Sequence, residues 1–157
     1  MTILPATRTL IDLARRDSIY SSLADAYEAT IARFGTREDA QALLEAFLED
    51  PSARACMLPP IRVLGDGELA HELFLQSVHK GKLRDEMPEG VLLCLGYMGY
   101  VQAEPLLWQY VAQKGDFDNY NYDYVNTACL GLLHLPCLEL KEAIVAEITA
   151  QFGKNWW

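Results

Sequence analysis

The helical pattern of this chain is broken four times, and the residues around each break repeat. The breaks are Gly35, Gly65, Gly99 and Pro136, spaced 30, 34 and 37 residues apart. Eight residues beyond them stand Leu43, Leu73, Leu107 and Ile144, followed by Leu44, Phe74, Trp108 and Val145. One residue before come Phe34, Leu64, Met98 and Leu135. Four before come Ile31, Ile61, Leu95 and Leu132, and eight before come Tyr27, Met57, Val91 and Ala128. Offsets of one, four and eight share one helical face. Each unit therefore reads as an antiparallel helix pair with the break as its tight turn. Glycine there is expected in the left-handed conformation that ends helices, and Pro136 cannot continue one. A lone pair cannot bury its apolar stripe, whereas a stack can. The expectation is an all-α fold: one domain over residues 1–157, built as a stack of about four antiparallel helix pairs.

Local signals place the elements. Thr7 can cap a first helix reaching about Arg16, and Asp17 or Ser18 a second reaching Phe34. Thr36, with Asp39 three residues on, resembles a capping box with Asp in place of Glu. Pro51 closes the first unit, and Gly81, Gly115 and Gly153 close the other three. Pro59-Pro60 falls inside the first helix of the second unit and should kink or split it. The partner helix is expected over 68–79, burying Leu69, Leu73, Phe74 and Val78. A charged loop follows over 81–89. The third pair is expected over 91–98 and 105–113, the fourth over 124–135 and 139–152. Trp156-Trp157 then either caps the last unit or forms an exposed patch.

Composition narrows the setting. Apolar residues make up 51% of the chain, enough for a real core. No apolar run reaches the roughly 18 residues of a membrane span, and residues 1–10 lack the pattern of a signal peptide. Cys56, Cys94, Cys129 and Cys137 form no C-x-x-C and sit among apolar neighbours, so reduced, buried thiols and a cytoplasmic location are expected. The net charge is −9. Such a field disfavours nucleic acid and anionic membranes and favours basic proteins.

Residues 115–124 interrupt the repeat. Asp116, Phe117, Asp118, Asn119, Tyr120, Asn121, Tyr122, Asp123 and Tyr124 include three Asp, three Tyr and one Phe, with no Lys or Arg. Insertions in repeat proteins map to one face, often the binding face. Tyrosine gives a large rigid contact with a hydroxyl, and aspartate suits a basic partner. Asp116, Phe117, Asp118, Tyr120, Tyr122, Asp123 and Tyr124 are therefore the candidate partner contacts. The alternative is that the tyrosines fold onto the core and the aspartates cap the next helix.

Catalytic constellations are sparse. Glu68 and His71 lie one turn apart, half of a di-iron motif whose other half does not occur. His79 is eight residues from His71, too far for a zinc pair at the usual spacing of about four. Asp116, Asp118 and Asp123 faintly suggest a calcium loop, but Asn121 and Thr127 replace its glycine and its bidentate glutamate. No phosphate-binding loop or nucleophile elbow is present. Lys80, Lys82 and Arg84 are offset by Asp85 and Glu86. Neither metal, cofactor nor enzymatic activity is expected.

The repeat spacing and the Pro59-Pro60 kink in a first helix resemble HEAT-like repeats over roughly residues 18–153. That resemblance implies a right-handed α-solenoid. The HEAT-like deoxyhypusine hydroxylases hold iron through several His-Glu dipeptides. Only His71-Glu72 occurs here, so their activity is not implied, and no motif carries over from the phycobilin lyases. The small, acidic, helical, site-poor profile is similar to bacterial immunity proteins. That likeness implies occlusion of a basic toxin, such as a nuclease, by an acidic surface with tyrosine anchors. The alternatives are a general adaptor, or an accessory enzyme using Glu68 and His71.

Overall fold

A computed structural model describes residues 2–16, 22–111 and 121–136, and places 142, 145–146 and 149–150 in helix. Eight α-helices and one small hairpin are found among the described residues. In order they are α1 (Pro5–Arg16), α2 (Ser22–Phe34), α3 (Arg37–Glu49), α4 (Leu58–Leu64), α5 (Gly67–Ser77), β1 (Val78–His79), β2 (Lys82–Leu83), α6 (Gly90–Tyr97), α7 (Glu104–Val111) and α8 (Asn121–His134). The fold is thus mostly helical, as the repeat implies. No helix among the described residues is long and apolar enough to cross a membrane.

The helix starts follow their local chemistry. Helix α1 begins at Pro5 rather than after Thr7. A proline in the first turn has its φ preset and needs no amide partner. Thr7 is instead buried within α1, its hydroxyl donating to the Asp39 carboxylate. Asp39 also accepts the Leu4 amide at 2.8 Å and the Thr36 amide at 2.9 Å. The capping box expected at Thr36 thus reaches further and pins the N-terminal segment to the first break. At the second break Asp66 caps α5 by accepting the Leu69 amide at 3.0 Å. The Pro59-Pro60 pair does split its helix. Short 3-10 turns over Pro51–Ala53 and Ala55–Met57 come first, and α4 starts with both prolines in its first turn.

Helix α5 stops at Ser77, two residues short of the expected end. Val78–His79 pairs antiparallel with Lys82–Leu83. Lys80 at φ 52° and Gly81 at φ 75° supply the two positive values of a two-residue hairpin turn. Gly81 therefore turns a hairpin rather than closing a helix. Gly115 and Gly153 lie outside the described residues.

The helices pack in two series. Helix α2 lies against α4, α4 against α6 and α6 against α8, while α1 lies against α3 and α3 against α5. The series touch across α1–α2, α3–α4, α5–α6 and α7–α8. This differs from the expected pairing across the glycine breaks, where the joined helices share little contact among the described residues. Two-residue links, Gly35-Thr36 and Gly65-Asp66, end in an extended cap residue at Thr36 and at Asp66, and the next helix departs from there.

The repeat offsets predict burial closely. Ile31, Ile61, Leu95 and Leu132, four before each break, are all fully buried, as are Leu43, Leu73 and Leu107, eight after. The breaks have a different logic from the expected one. Only Gly99 has a positive φ, at 75°. Gly35 and Gly65 are required by close approach. A β-carbon on Gly35 would sit 2.6 Å from the Ile31 carbonyl oxygen and 2.7 Å from Leu64 Cδ1, and one on Gly65 would sit 2.7 Å from both the Ile61 carbonyl oxygen and Met98 Sδ. A β-carbon on Gly99 would meet Pro136 at 3.6 Å. The end of one unit's first helix, Leu64 or Met98, thus sits over the break glycine of the unit before. Phe34 has no such seat, because Gly35 is the first glycine of the chain, and it is 63% exposed.

Candidate functional site

Of residues 115–124, Asn121, Tyr122, Asp123 and Tyr124 form the first turn of α8. Tyr124 is half-buried against the core, and its hydroxyl donates to the Met87 carbonyl at 3.3 Å. Its ring stacks on Tyr110 with centroids 5.8 Å apart. The Tyr110 hydroxyl accepts the Leu83 amide at 3.2 Å, and burial pushes its pKa up. These two tyrosines fasten the hairpin and the loop after it to the start of α8. Asp116, Phe117, Asp118 and Tyr120 lie outside the described residues. Tyr122 and Asp123 are placed by backbone only.

The loop held by Tyr124 is charged. Asp85 and Glu86 are exposed and Glu89 half-exposed, so their carboxylates lie on the loop to which the first turn of α8, with Asp123, is fastened. A shallow groove of about 640 Å³ beside them is lined by His79, Lys80, Lys82, Leu83, Arg84, Asp85 and Glu86.

Glu68 and His71 are held in separate contacts. Glu68 pairs with Arg37 at 3.1 Å, alongside a 2.6 Å pair between Arg37 and Asp66. His71 Nδ1 lies 2.6 Å from the Tyr100 hydroxyl, and the Tyr100 ring packs on Phe74. No group of three or more potential metal ligands is found among the described residues. The thiols of Cys94 and Cys129 are buried and that of Cys56 half-buried, all unpaired. Burial raises them to about 12, 11 and 11 respectively. Cys137 and the terminal tryptophans lie outside the described residues.

Acids are unevenly spread along the helices: α2 carries Asp25 and Glu28 in its first half only. Helix α3 carries Glu38, Asp39, Glu45 and Glu49, and α5 carries Glu68 and Glu72. Of these Glu45, Glu49 and Glu68 are exposed. Helices α4 and α6 contain no acid, and neither do residues 29–34 of α2 or 124–134 of α8. Those acid-free stretches carry exposed apolar side chains instead: Phe34, Val63, Tyr97 and Leu130. Arg33 lies over the Phe34 ring and Arg62 over the Tyr97 ring, each at 5.3 Å. This stripe lies off the buried repeat offsets, so the repeat does not mark it. The runs without acid in a chain of net charge −9 were its available signal.

Comparisons with protein-family models, curated proteins and solved structures return no match to this chain. Function is therefore read from its own residues.

Proposed function

We propose that this protein is a HEAT-like helical stack acting as a non-catalytic binding module for a basic protein. In this reading α2, α4, α6 and α8 are the first helices of successive units and α3 and α5 are second helices. The two packed series, with the repeat-spaced glycine seats, support that plan. The observation that carries the partner's chemistry is the net charge of −9 together with the exposed Asp85 and Glu86 on the loop tied to α8. An acidic face of this kind steers and orients a basic partner.

The mode of action fitting such a module is occlusion, as an immunity protein covers the active site of a basic toxin, for instance a nuclease. Asp116, Phe117, Asp118, Tyr120, Tyr122, Asp123 and Tyr124 supply the contacts in this reading. The test is a pull-down from native lysate at low and high salt with mass spectrometry. It is repeated with Asp116, Asp118 and Asp123 changed to Asn, and with Glu45 and Glu68 changed to Lys. One basic, stoichiometric partner, weakened by salt and by both variants, is expected. A partner indifferent to both variants, or none at either salt, refutes the reading.

A further inference from the structure

The second series presents a surface of the opposite character. Exposed Arg33, Phe34, Val63, Tyr97, Leu130 and His134, with half-exposed Arg62, lie at the C-terminal ends of successive helices. Arg33 and Phe34 end α2, Arg62 and Val63 end α4, Tyr97 ends α6, and Leu130 and His134 lie one turn apart in the last turns of α8. The packing makes them neighbours. Leu64 sits over Gly35 and Met98 over Gly65, which brings the helix ends level. Arg62 bridges from α4 to the Tyr97 ring of α6, and that ring lies 4.9 Å from the His134 ring of α8. With packed helices 8–10 Å apart, the stripe runs for roughly 25–30 Å.

Its electrostatics are unusual for this chain. Neither Arg33 nor Arg62 forms an ion pair among the described residues, where Arg15, Arg37 and Arg54 all do. No acid lies on the helix stretches that build the stripe. Helix C-termini favour nearby cations, which accounts for arginines in these last turns but leaves their charge without a carboxylate partner. Exposed apolar residues in a row, rather than scattered singly, mark contact surfaces.

We propose that this stripe docks an acidic amphipathic helix of a partner protein. Apolar residues seven apart on such a helix are about 10.5 Å apart, which matches the spacing of the successive helix ends. Its carboxylates meet Arg33 and Arg62, and its apolar face covers Phe34, Val63 and Tyr97. The surface is distinct from the acidic face and the α8 start, and it stands whether or not those bind a basic protein.

The probe is a synthetic helical peptide of about 25 residues with Leu at every seventh position and Glu flanking that face. Its lysine counterpart and a single-stranded oligonucleotide of similar length are the comparators. Binding to the full chain is read by fluorescence anisotropy, and folding of each variant by circular dichroism. The acidic peptide is expected to bind at least about tenfold tighter than the lysine peptide. Arg33→Glu with Arg62→Glu should reverse that order, and Tyr97→Ser should weaken it about tenfold. Variants changed only on the acidic face, Glu45→Lys and Glu68→Lys, should leave acidic-peptide binding undiminished. Three results would overturn the proposal: no binding of the acidic peptide, binding unchanged by the double arginine variant, or preferential binding of the oligonucleotide.

Discussion

Replacing Gly96 by alanine should destabilise the fold by about 3 kcal/mol, against the intrinsic preference of a helix for alanine. Gly96 lies in α6, where a β-carbon would fall 2.1 Å from the Gly131 carbonyl oxygen and 2.4 Å from Gly131 Cα on α8. Those are backbone atoms in a helix, with no rotamer to turn away. Reaching the 3.0 Å of the closest tolerated contacts requires the helices to part by about 0.9 Å. A radial gap of that size forfeits roughly a quarter to a half of the dispersion energy of each contact it opens. The contacts at stake include Leu92, Leu95, Ala128 and Leu132, all fully buried on these two helices. Their loss, with the strain that remains, exceeds the gain of about 1 kcal/mol that alanine brings to a helix interior. Gly67→Ala is the control. A β-carbon there meets nothing within 4 Å, so that change should stabilise by about 0.5 kcal/mol. Urea unfolding followed at 222 nm measures both. Gly96→Ala as stable as the parent would refute the α6–α8 backbone contact and the packing derived from it.

Other changes test other parts of the structure. Asp39→Ala should cost about 3 kcal/mol by leaving the Leu4 and Thr36 amides and the Thr7 hydroxyl without their acceptor; the urea midpoint reports it. Burial disfavours the Asp39 charge, but hydrogen bonds from Thr7, Leu4 and Thr36 outweigh it and hold the carboxyl below its ordinary range. Its contribution is therefore complete above about pH 4 and falls as pH drops through the lowered folded value, a fall that Asp39→Asn should abolish in a pH series of midpoints. Glu28 has the opposite sign: burial and Asp25 raise it to about 7, so its charge opposes folding progressively from about pH 4.5 to 7. Glu28→Gln should raise the melting temperature at pH 8 and change little at pH 4. In a Cys137→Ser background, Cys56, Cys94 and Cys129 should react with a disulfide reagent at pH 8 at least about tenfold more slowly than after denaturation, because burial keeps them as thiols.

The helical elements were legible because apolar residues recur at fixed offsets from a break, and burial must follow that period. Ile31, Ile61, Leu95 and Leu132 could be placed in the core from spacing alone. The role of the glycines could not. Gly35 and Gly65 are demanded first by the carbonyls of Ile31 and Ile61 in the helices they end, and Leu64 and Met98 arrive over them from the next unit, an approach that sequence neighbours do not record. The hairpin at 78–83 was hidden for another reason. Val78 and His79 continue a helical pattern, and only the positive φ of Lys80 and Gly81 redirects the chain. Tyr124 was legible as a special residue, yet its bond to the Met87 carbonyl spans 37 residues, which no local pattern encodes. The Arg33–Tyr97 stripe needs helices α2, α4 and α6 side by side before its residues become neighbours at all.

The seating of each unit's first-helix end over the previous unit's glycine makes the chain modular in a particular way. A cassette cut from Gly35 to Leu64 carries one receptacle and one plug, both of the standard form. Duplicated in tandem, the new leucine would meet the new glycine just as the original pair meet, and neither flanking segment would need rewriting. Lengthening such a chain demands no fresh solution to the packing problem, only recopying of one already found. Phe34 marks where that grammar starts: a plug with nothing upstream to receive it.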